Sequence, residues 1–261
     1  NYHSPSLTAK ALSTLDTIAP GRTSLNVVSS WWKDEAAQYG APFDVHDARY
    51  DRTEEWLTVL NRLMVEDTVT HHGALYDLDG CVLEPKPATP PTIYMGGESP
   101  KAKDVISRHG TAYVMHGDAP DVIAAKVQDM EARRTAAGRP PFAYGVSGYV
   151  IVRDTEQEAA AELARILDVQ ADPAAYASYQ DFLAGSQLES QVSLEEYSVS
   201  NRGLRAGLVG TPAQVTARIR EYEAAGVDLM LLQCSPQLEE MERFAEQVMP
   251  LVGSRVVATA A

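Results

Sequence analysis

The feature that most constrains this chain is an alternation: short apolar runs recur between amphipathic helical stretches along nearly its whole length. SLNVVS (24–29), TIYMGG (92–97), TAYVMHG (111–117), FAYGVSGYVIV (142–152) and VDLMLLQCS (227–235) are rich in β-branched and aromatic residues and almost continuously apolar. That is the signature of strands buried on both faces of a parallel sheet. Five strands follow, at 24–29, 92–97, 111–116, 143–152 and 228–234.

Helices fill the intervals. Residues 6–18 place Leu7, Ala11, Leu15 and Ile18 at helical spacing before Pro20-Gly21 ends the run. The stretch 47–67 carries a stripe of Tyr50, Trp56, Leu57, Leu60, Leu63 and Met64. Further helices are expected at 99–109, at 118–138 (Asp-capped, closed by Gly138), at 155–167, at 211–226 (Thr211 as cap, Pro212 in the first turn) and at 235–252. Residues 68–90, with His71-His72-Gly73, Tyr76 and a Pro-rich exit, read as a hairpin or long loop. Residues 168–206 read as short helices plus a mobile loop, and the tail after Gly253 as frayed.

Single helices between strands imply right-handed βαβ units and an α/β fold. Glycine or polar residues follow most strand ends, the place where a (β/α)8 barrel keeps its site. Five strands fall short of eight, which leaves either a barrel without its first three units or a doubly wound sheet.

Charge and composition exclude several classes. The 22 Lys+Arg against 36 Asp+Glu give −14, which repels phosphate backbones and argues against nucleic acid. No apolar run approaches the ~20 residues that span a bilayer, and Asn1 opens a polar segment unlike a signal peptide. Cys81 and Cys234 are too few for a disulfide scaffold, so reduced thiols in a cytoplasmic protein are expected. No Cys/His cluster has zinc spacing, and no P-loop, GxGxxG or nucleophile elbow is present.

The candidate site residues therefore sit at strand ends and the turns after them. Gly96-Gly97-Glu98-Ser99 ends a strand and opens a helix, where free amides and the Ser99 hydroxyl suit a phosphate; a plain helix cap is the simpler reading. Arg49 could fork onto a phosphate beside Tyr50, against a surface Arg and a core Tyr. Asn26 is an amide within an apolar strand, and Glu35 follows the Trp31-Trp32 turn; both could hold a ligand or bond the backbone. His116 ends a strand as a candidate base, and Tyr149 lies mid-strand, where core packing is the plainer reading. Asn201, Arg202 and Arg205 lie in a polar loop able to close over an anion. His71 and His72 read as exposed loop residues.

Taken together, SPSLTAKALSTLDTIAPGRTSLNVVSSWWKDE, HDARYDRTEEWLTVL, PTIYMGGESPKAKD, GYVIVRDTEQEA and LVGTPAQVTARIREYEAAGVDLMLLQCSPQLEEMERFAEQVMPLV resemble the bacterial luciferase-like flavin monooxygenases. The branch most resembled holds the alkanesulfonate, dimethylsulfone and pyrimidine monooxygenases. The resemblance implies a (β/α)8 barrel, here without the first three βα units, as one domain over 1–261 with an insertion at 68–90 and a mobile loop at about 185–206. It implies reduced FMN supplied by a separate NAD(P)H-dependent flavin reductase, O2 as co-substrate, and a homodimer or homotetramer. It further implies flavin contacts at Asn26, Glu35, Arg49, Tyr50, Gly97 and Ser99, with Tyr149, His116 and Arg202 facing substrate or tuning proton transfer. The Arg and His that alkanesulfonate enzymes carry on their seventh strand correspond to Ser147 and Tyr149 here, and their Tyr after the last strand to Ser235. A small neutral organosulfur compound such as a sulfone is therefore expected over a sulfonate. Alternatives are cleavage of a heterocycle, a flavin-degrading lyase, a deazaflavin-dependent relative, or an inactive truncated barrel acting in binding alone.

Overall fold

The computed structural model describes residues 2–168, 173–185, 192–199 and 203–253. In chain order the elements are α1 (Pro5–Ile18), β1 (Ser24–Val27), α2 (Lys33–Gln38), α3 (His46–Val65), β2 (Val69–His72), β3 (Asp77–Cys81), β4 (Thr92–Gly96), α4 (Pro100–His109), β5 (Ala112–Met115), α5 (Pro120–Ala136) and β6 (Ala143–Val152). There follow α6 (Glu156–Leu167), α7 (Pro173–Gly185), α8 (Leu194–Ser198), a 3-10 turn (Gly203–Ala206), β7 (Leu208–Gly210), α9 (Pro212–Ala224), β8 (Leu229–Gln233), α10 (Gln237–Gln247) and α11 (Met249–Val252). The α/β expectation holds, and the five expected strands are all present. β7 is an addition: three residues, LVG, are too few to carry a periodic signal. The packing divides the chain into two compact units, one comprising residues up to Tyr113 with Arg133–Phe142, the other Val114–Ala132 with the chain from Ala143 onward.

In the first unit β1 and β4 run parallel, with Asn26 opposite Tyr94. The core is built on α3, whose Trp56, Leu57, Leu60, Leu63 and Met64 are buried and which packs on α1 and α4. Fully burying each such side chain contributes roughly 1.5–3 kcal/mol. The expected stripe on α1 behaves otherwise. Leu7, Leu15 and Ile18 are exposed, while Ala9, Leu12, Ser13 and Asp16 face inward. Buried Asp16 is tolerated because its Oδ1 accepts from the Gly21 amide at 2.9 Å and the Thr23 hydroxyl at 3.4 Å. The 68–90 stretch contains an antiparallel β2–β3 hairpin, which puts His71 on a strand, half-buried against Glu55, and not on an exposed loop.

In the second unit β6 pairs in parallel with both β7 and β8. Thr155 and Thr211 start α6 and α9 with reciprocal capping boxes, the latter with Pro212 in the first turn as expected. Buried Glu240 accepts from Arg153 at 2.9 Å, and Arg153 also lies 3.4 Å from Glu162. Such pairing is what a buried carboxylate requires. Tyr222, fully buried, bonds the carbonyls of Asp118 (2.5 Å) and Ala206 (2.9 Å).

Candidate active site

A cavity of about 240 Å³ opens in the first unit, along β1 and the turn that follows it. Its volume is below the roughly 300–1,000 Å³ of pockets that enclose drug-sized ligands, so it suits a small molecule or one moiety of a larger one. Leu25, Val27, Trp31 and Trp56 supply apolar wall; Asn26, Ser30, Tyr2 and Glu35 supply polar groups. Asn26 is exposed on β1, so its amide carries no burial penalty and is open to an incoming ligand. Ser30 has φ +65°, a left-handed conformation that costs a non-glycine residue free energy. Its hydroxyl shares a hydrogen bond with the Tyr2 hydroxyl at 2.7 Å, and Tyr2 reaches toward Glu35 at 3.4 Å. The Trp56 indole donates to the His3 carbonyl at 2.8 Å, pinning the N-terminal segment beside the cavity. Beneath, buried Ser29 shares a 2.8 Å hydrogen bond with Thr53, whose hydroxyl donates to the Arg49 carbonyl.

A second locus lies where β4 meets α4. Gly97 has φ +151°, and an added Cβ would stand 2.7 Å from the Ala102 Cβ and 2.8 Å from the Tyr50 hydroxyl oxygen. Only glycine fits there. The Gly97 carbonyl accepts from the Tyr113 hydroxyl at 2.9 Å. Ser99 is the N-cap of α4, accepting from the Ala102 amide at 3.1 Å, and the first turn of α4 holds no acidic residue. The cap reading of Ser99 is thus realised, and its hydroxyl hydrogen remains available to a ligand. Ion pairs hold α3 against α4: Lys101 with Asp51 at 2.5 Å and Arg108 with Glu54 at 2.7 Å. His109 lies 3.5 Å from Glu54, and burial pushes its pKa down despite that carboxylate.

Arg49 corrects a plainer expectation. It is not a surface arginine but is 2% exposed. Its Nη1 donates to the Asp44 carbonyl at 2.8 Å and its guanidinium stacks 4.5 Å from the Phe43 ring centre. Burial pushes its pKa down, against the pull of Tyr50 and Asp44. It orders the chain entering α3 from within the core.

The remaining candidates fall in the second unit. His116 is half-buried directly after β5. Tyr149, opposite Gln233 of β8, packs in an apolar cluster with Ile151 and Val199, flanked by Leu163, Ile166 and Leu167 of α6. Burial, then Cys234, Glu240 and Glu162, pushes its phenol up. Ser147 lies 3.4 Å from the Met115 carbonyl. Arg205 pairs with Glu196. Asn201 and Arg202 lie outside the described residues. Among the described residues, no three or more His, Cys, Asp or Glu gather to hold a metal, and no helix is long and apolar enough to cross a membrane.

The structure thus brings Asn26 and Glu35 to one cavity and Tyr50 and Gly97 to one contact. Sequence reasoning missed Tyr2, His3, Ser30, Thr53 and Trp56 on the cavity wall. The small polar pair Ser29-Ser30 closing an apolar strand is the signal that could have found Ser30; Tyr2 and His3 carry none.

Comparison with known proteins gives a consistent result. The model of the luciferase-like monooxygenase family matches residues 1–229. An FMNH2-dependent dimethylsulfone monooxygenase of Pseudomonas fluorescens (strain Pf0-1) is 37% identical over 256 residues, 95% of this chain and 70% of that protein. Its namesake from Pseudomonas putida is 37% identical over 259 residues, 95% of this chain and 71% of that protein. Among solved structures, a long-chain alkane monooxygenase superposes with TM-score 0.83 at 22% identity, covering 100% of this chain and 70% of that one. At that identity the likeness is one of fold.

Proposed function

The chain belongs to the luciferase-like monooxygenase family, and from that premise we propose that it uses reduced FMN and O2 to oxidise a small, neutral organosulfur substrate. A separate NAD(P)H-dependent reductase would supply the reduced flavin. The observation that carries the flavin reading is Gly97: its conformation and the Tyr50 hydroxyl leave room for no side chain at the mouth of α4. Backbone amides there, with the positive end of the helix, the Ser99 hydroxyl and the Tyr50 hydroxyl, form a donor set that fits a phosphate. Asn26 and Glu35 would bond the polar groups of the flavin along β1, with Trp31 and Trp56 excluding water. When bound, reduced FMN supplies the oxygen-activating chemistry; the chain supplies binding, orientation and a dry wall. The His116 imidazole is suited to hold or release a proton at a ring nitrogen. In this reading Tyr149 serves packing.

The neutral substrate rests on the cavity wall. Among its described lining residues the only carboxylate is Glu35, and no Arg or Lys is present. A sulfonate would find no arginine or lysine to offset its desolvation there, whereas a sulfone carries no net charge to offset.

Anaerobic titration tests the flavin site. Reduced FMN should bind the wild type, and Gly97→Ala should weaken it by about tenfold or more, the equivalent of about 1.4 kcal/mol. With a flavin reductase, dimethylsulfone should stimulate O2 consumption and methanesulfonate should not. Unchanged affinity in Gly97→Ala would remove the phosphate site from this position.

A further inference from the structure

We infer that Tyr2 sets the size of the substrate that the cavity along β1 accepts, as a specificity-determining residue whose phenol ring is a fixed part of the wall. The inference rests on the reading that this cavity takes the neutral organosulfur substrate. A side chain that lines a cavity filters guests by size only if it cannot swing aside. Tyr2 meets that condition. It is half-buried on the cavity wall, and its hydroxyl is held by two separate pieces of chain. It lies 2.7 Å from the Ser30 hydroxyl, in the turn after β1, and donates to the Glu35 carboxylate of α2 at 3.4 Å. A phenol carries one hydrogen, so Tyr2 donating to Glu35 accepts from Ser30. The anchor is itself confined: Ser30, at φ +65°, sits in the narrow left-handed region. The ring of Tyr2 leans on Tyr39, just past α2, with centres 5.7 Å apart. That spacing is within the range of favourable aromatic pairs.

The main chain beyond Tyr2 is fastened as well. The His3 carbonyl accepts from the Trp56 indole of α3 at 2.8 Å. The Ser4 carbonyl accepts from the Thr8 amide at 3.0 Å and the Thr8 hydroxyl at 2.9 Å, in the first turn of α1. Residues 2–4 are thus tied in succession to the turn after β1, to α2, to α3 and to α1. Thr8 and Trp56, which hold the strap, line the same cavity as the side chain it carries. To admit a longer guest past the ring, Tyr2 would have to release Ser30, Glu35 and Tyr39 together. In a tight apolar pocket one extra methylene is discriminated by roughly 10–200-fold. A wall fixed in this way makes such discrimination available to a cavity of about 240 Å³.

A size filter and a merely structural strap differ in what they do to selectivity. Dimethylsulfone and di-n-propyl sulfone share the sulfonyl group and differ only in the length of their arms. Their dissociation constants are measured by anaerobic calorimetry, with reduced FMN present, for wild type, Tyr2→Ala, Tyr2→Phe and Ser30→Ala. Tyr2→Ala should shift the ratio of the two constants toward the longer sulfone by about tenfold or more. Tyr2→Phe and Ser30→Ala cut the same hydrogen bond from opposite sides and keep the ring. Each should shift the ratio by about threefold, and the double variant no further than either alone. Both lose only a hydroxyl, so they keep the test open should Tyr2→Ala not fold. A ratio unchanged within about twofold in the folded variants, including an equal loss of both ligands, overturns the filter; if dimethylsulfone still stimulates O2 consumption by wild type with a flavin reductase, the substrate reading stands. A shifted ratio without that stimulation upholds the filter and removes the substrate reading. If neither sulfone binds wild type, both fall.

Discussion

β1 and β6 are both parallel strands, and each carries a mid-strand residue whose chemistry singles it out: Asn26 on one, Tyr149 on the other. Their surroundings are opposite. Every residue of β1 stays at least partly open to solvent, whereas along β6 only Ala143 and Ser147 do. β6 is paired by both β7 and β8 and roofed by α6 and α10. Among the described residues, β1 is paired by β4. A strand sealed by its neighbours leaves a phenol in the core; a strand whose residues stay open leaves an amide accessible. Residue chemistry nominates a site, but the neighbouring strands decide whether anything can enter it.

The comparison can be broken most sharply at Tyr149. If it belongs to the sealed region, Tyr149→Ala should cost about 3–5 kcal/mol in urea unfolding, the range for emptying a large aromatic site. A loss below about 1 kcal/mol with a large drop in turnover would instead return Tyr149 to the active site. A second probe of the sealed region is alkaline pH. Burial pushes the Tyr222 phenol from 10.0 up to about 12. A raised pKa means that its stabilising contribution is complete below pH 10 and is lost as pH rises from 10 toward 12. Over that window wild type should lose about 2–3 kcal/mol relative to Tyr222→Phe, as unfolding curves at successive pH values will report. The smallest effect is expected on the open strand. Asn26→Ala should change stability by less than about 0.5 kcal/mol, as surface substitutions do, while weakening reduced flavin in anaerobic titration. A stability loss above about 2 kcal/mol there would mean that β1 is as sealed as β6.

The framework was legible because it rests on periodicity. Buried parallel strands such as 143–152 read as apolar runs, and capping boxes at Thr155 and Thr211 mark helix starts chemically. What periodicity cannot say is what covers a face. The Leu7, Leu15, Ile18 stripe of α1 and the Leu57, Leu60, Met64 stripe of α3 look alike in sequence, yet the first is exposed and the second buried. The site was legible in part for the same reason. Gly97 and Ser99 announce a strand-to-helix turn, and Asn26 stands out against valines. Arg49 was visible as a cation but not as a buried one, since its partners Phe43 and Asp44 come from an irregular segment. His71 looked like a loop histidine because the hairpin that carries it depends on Glu55, sixteen residues away. Tyr2 and Ser30 meet across twenty-eight residues, a separation no local pattern encodes.

Ser30 carries one more consequence. Glycine would adopt φ +65° at no steric cost, and the chain would gain by relaxing there. It would also surrender the hydroxyl that meets Tyr2. At this turn conformational ease and a hydrogen bond to the far end of the chain are competing demands on a single side chain, and serine is the compromise.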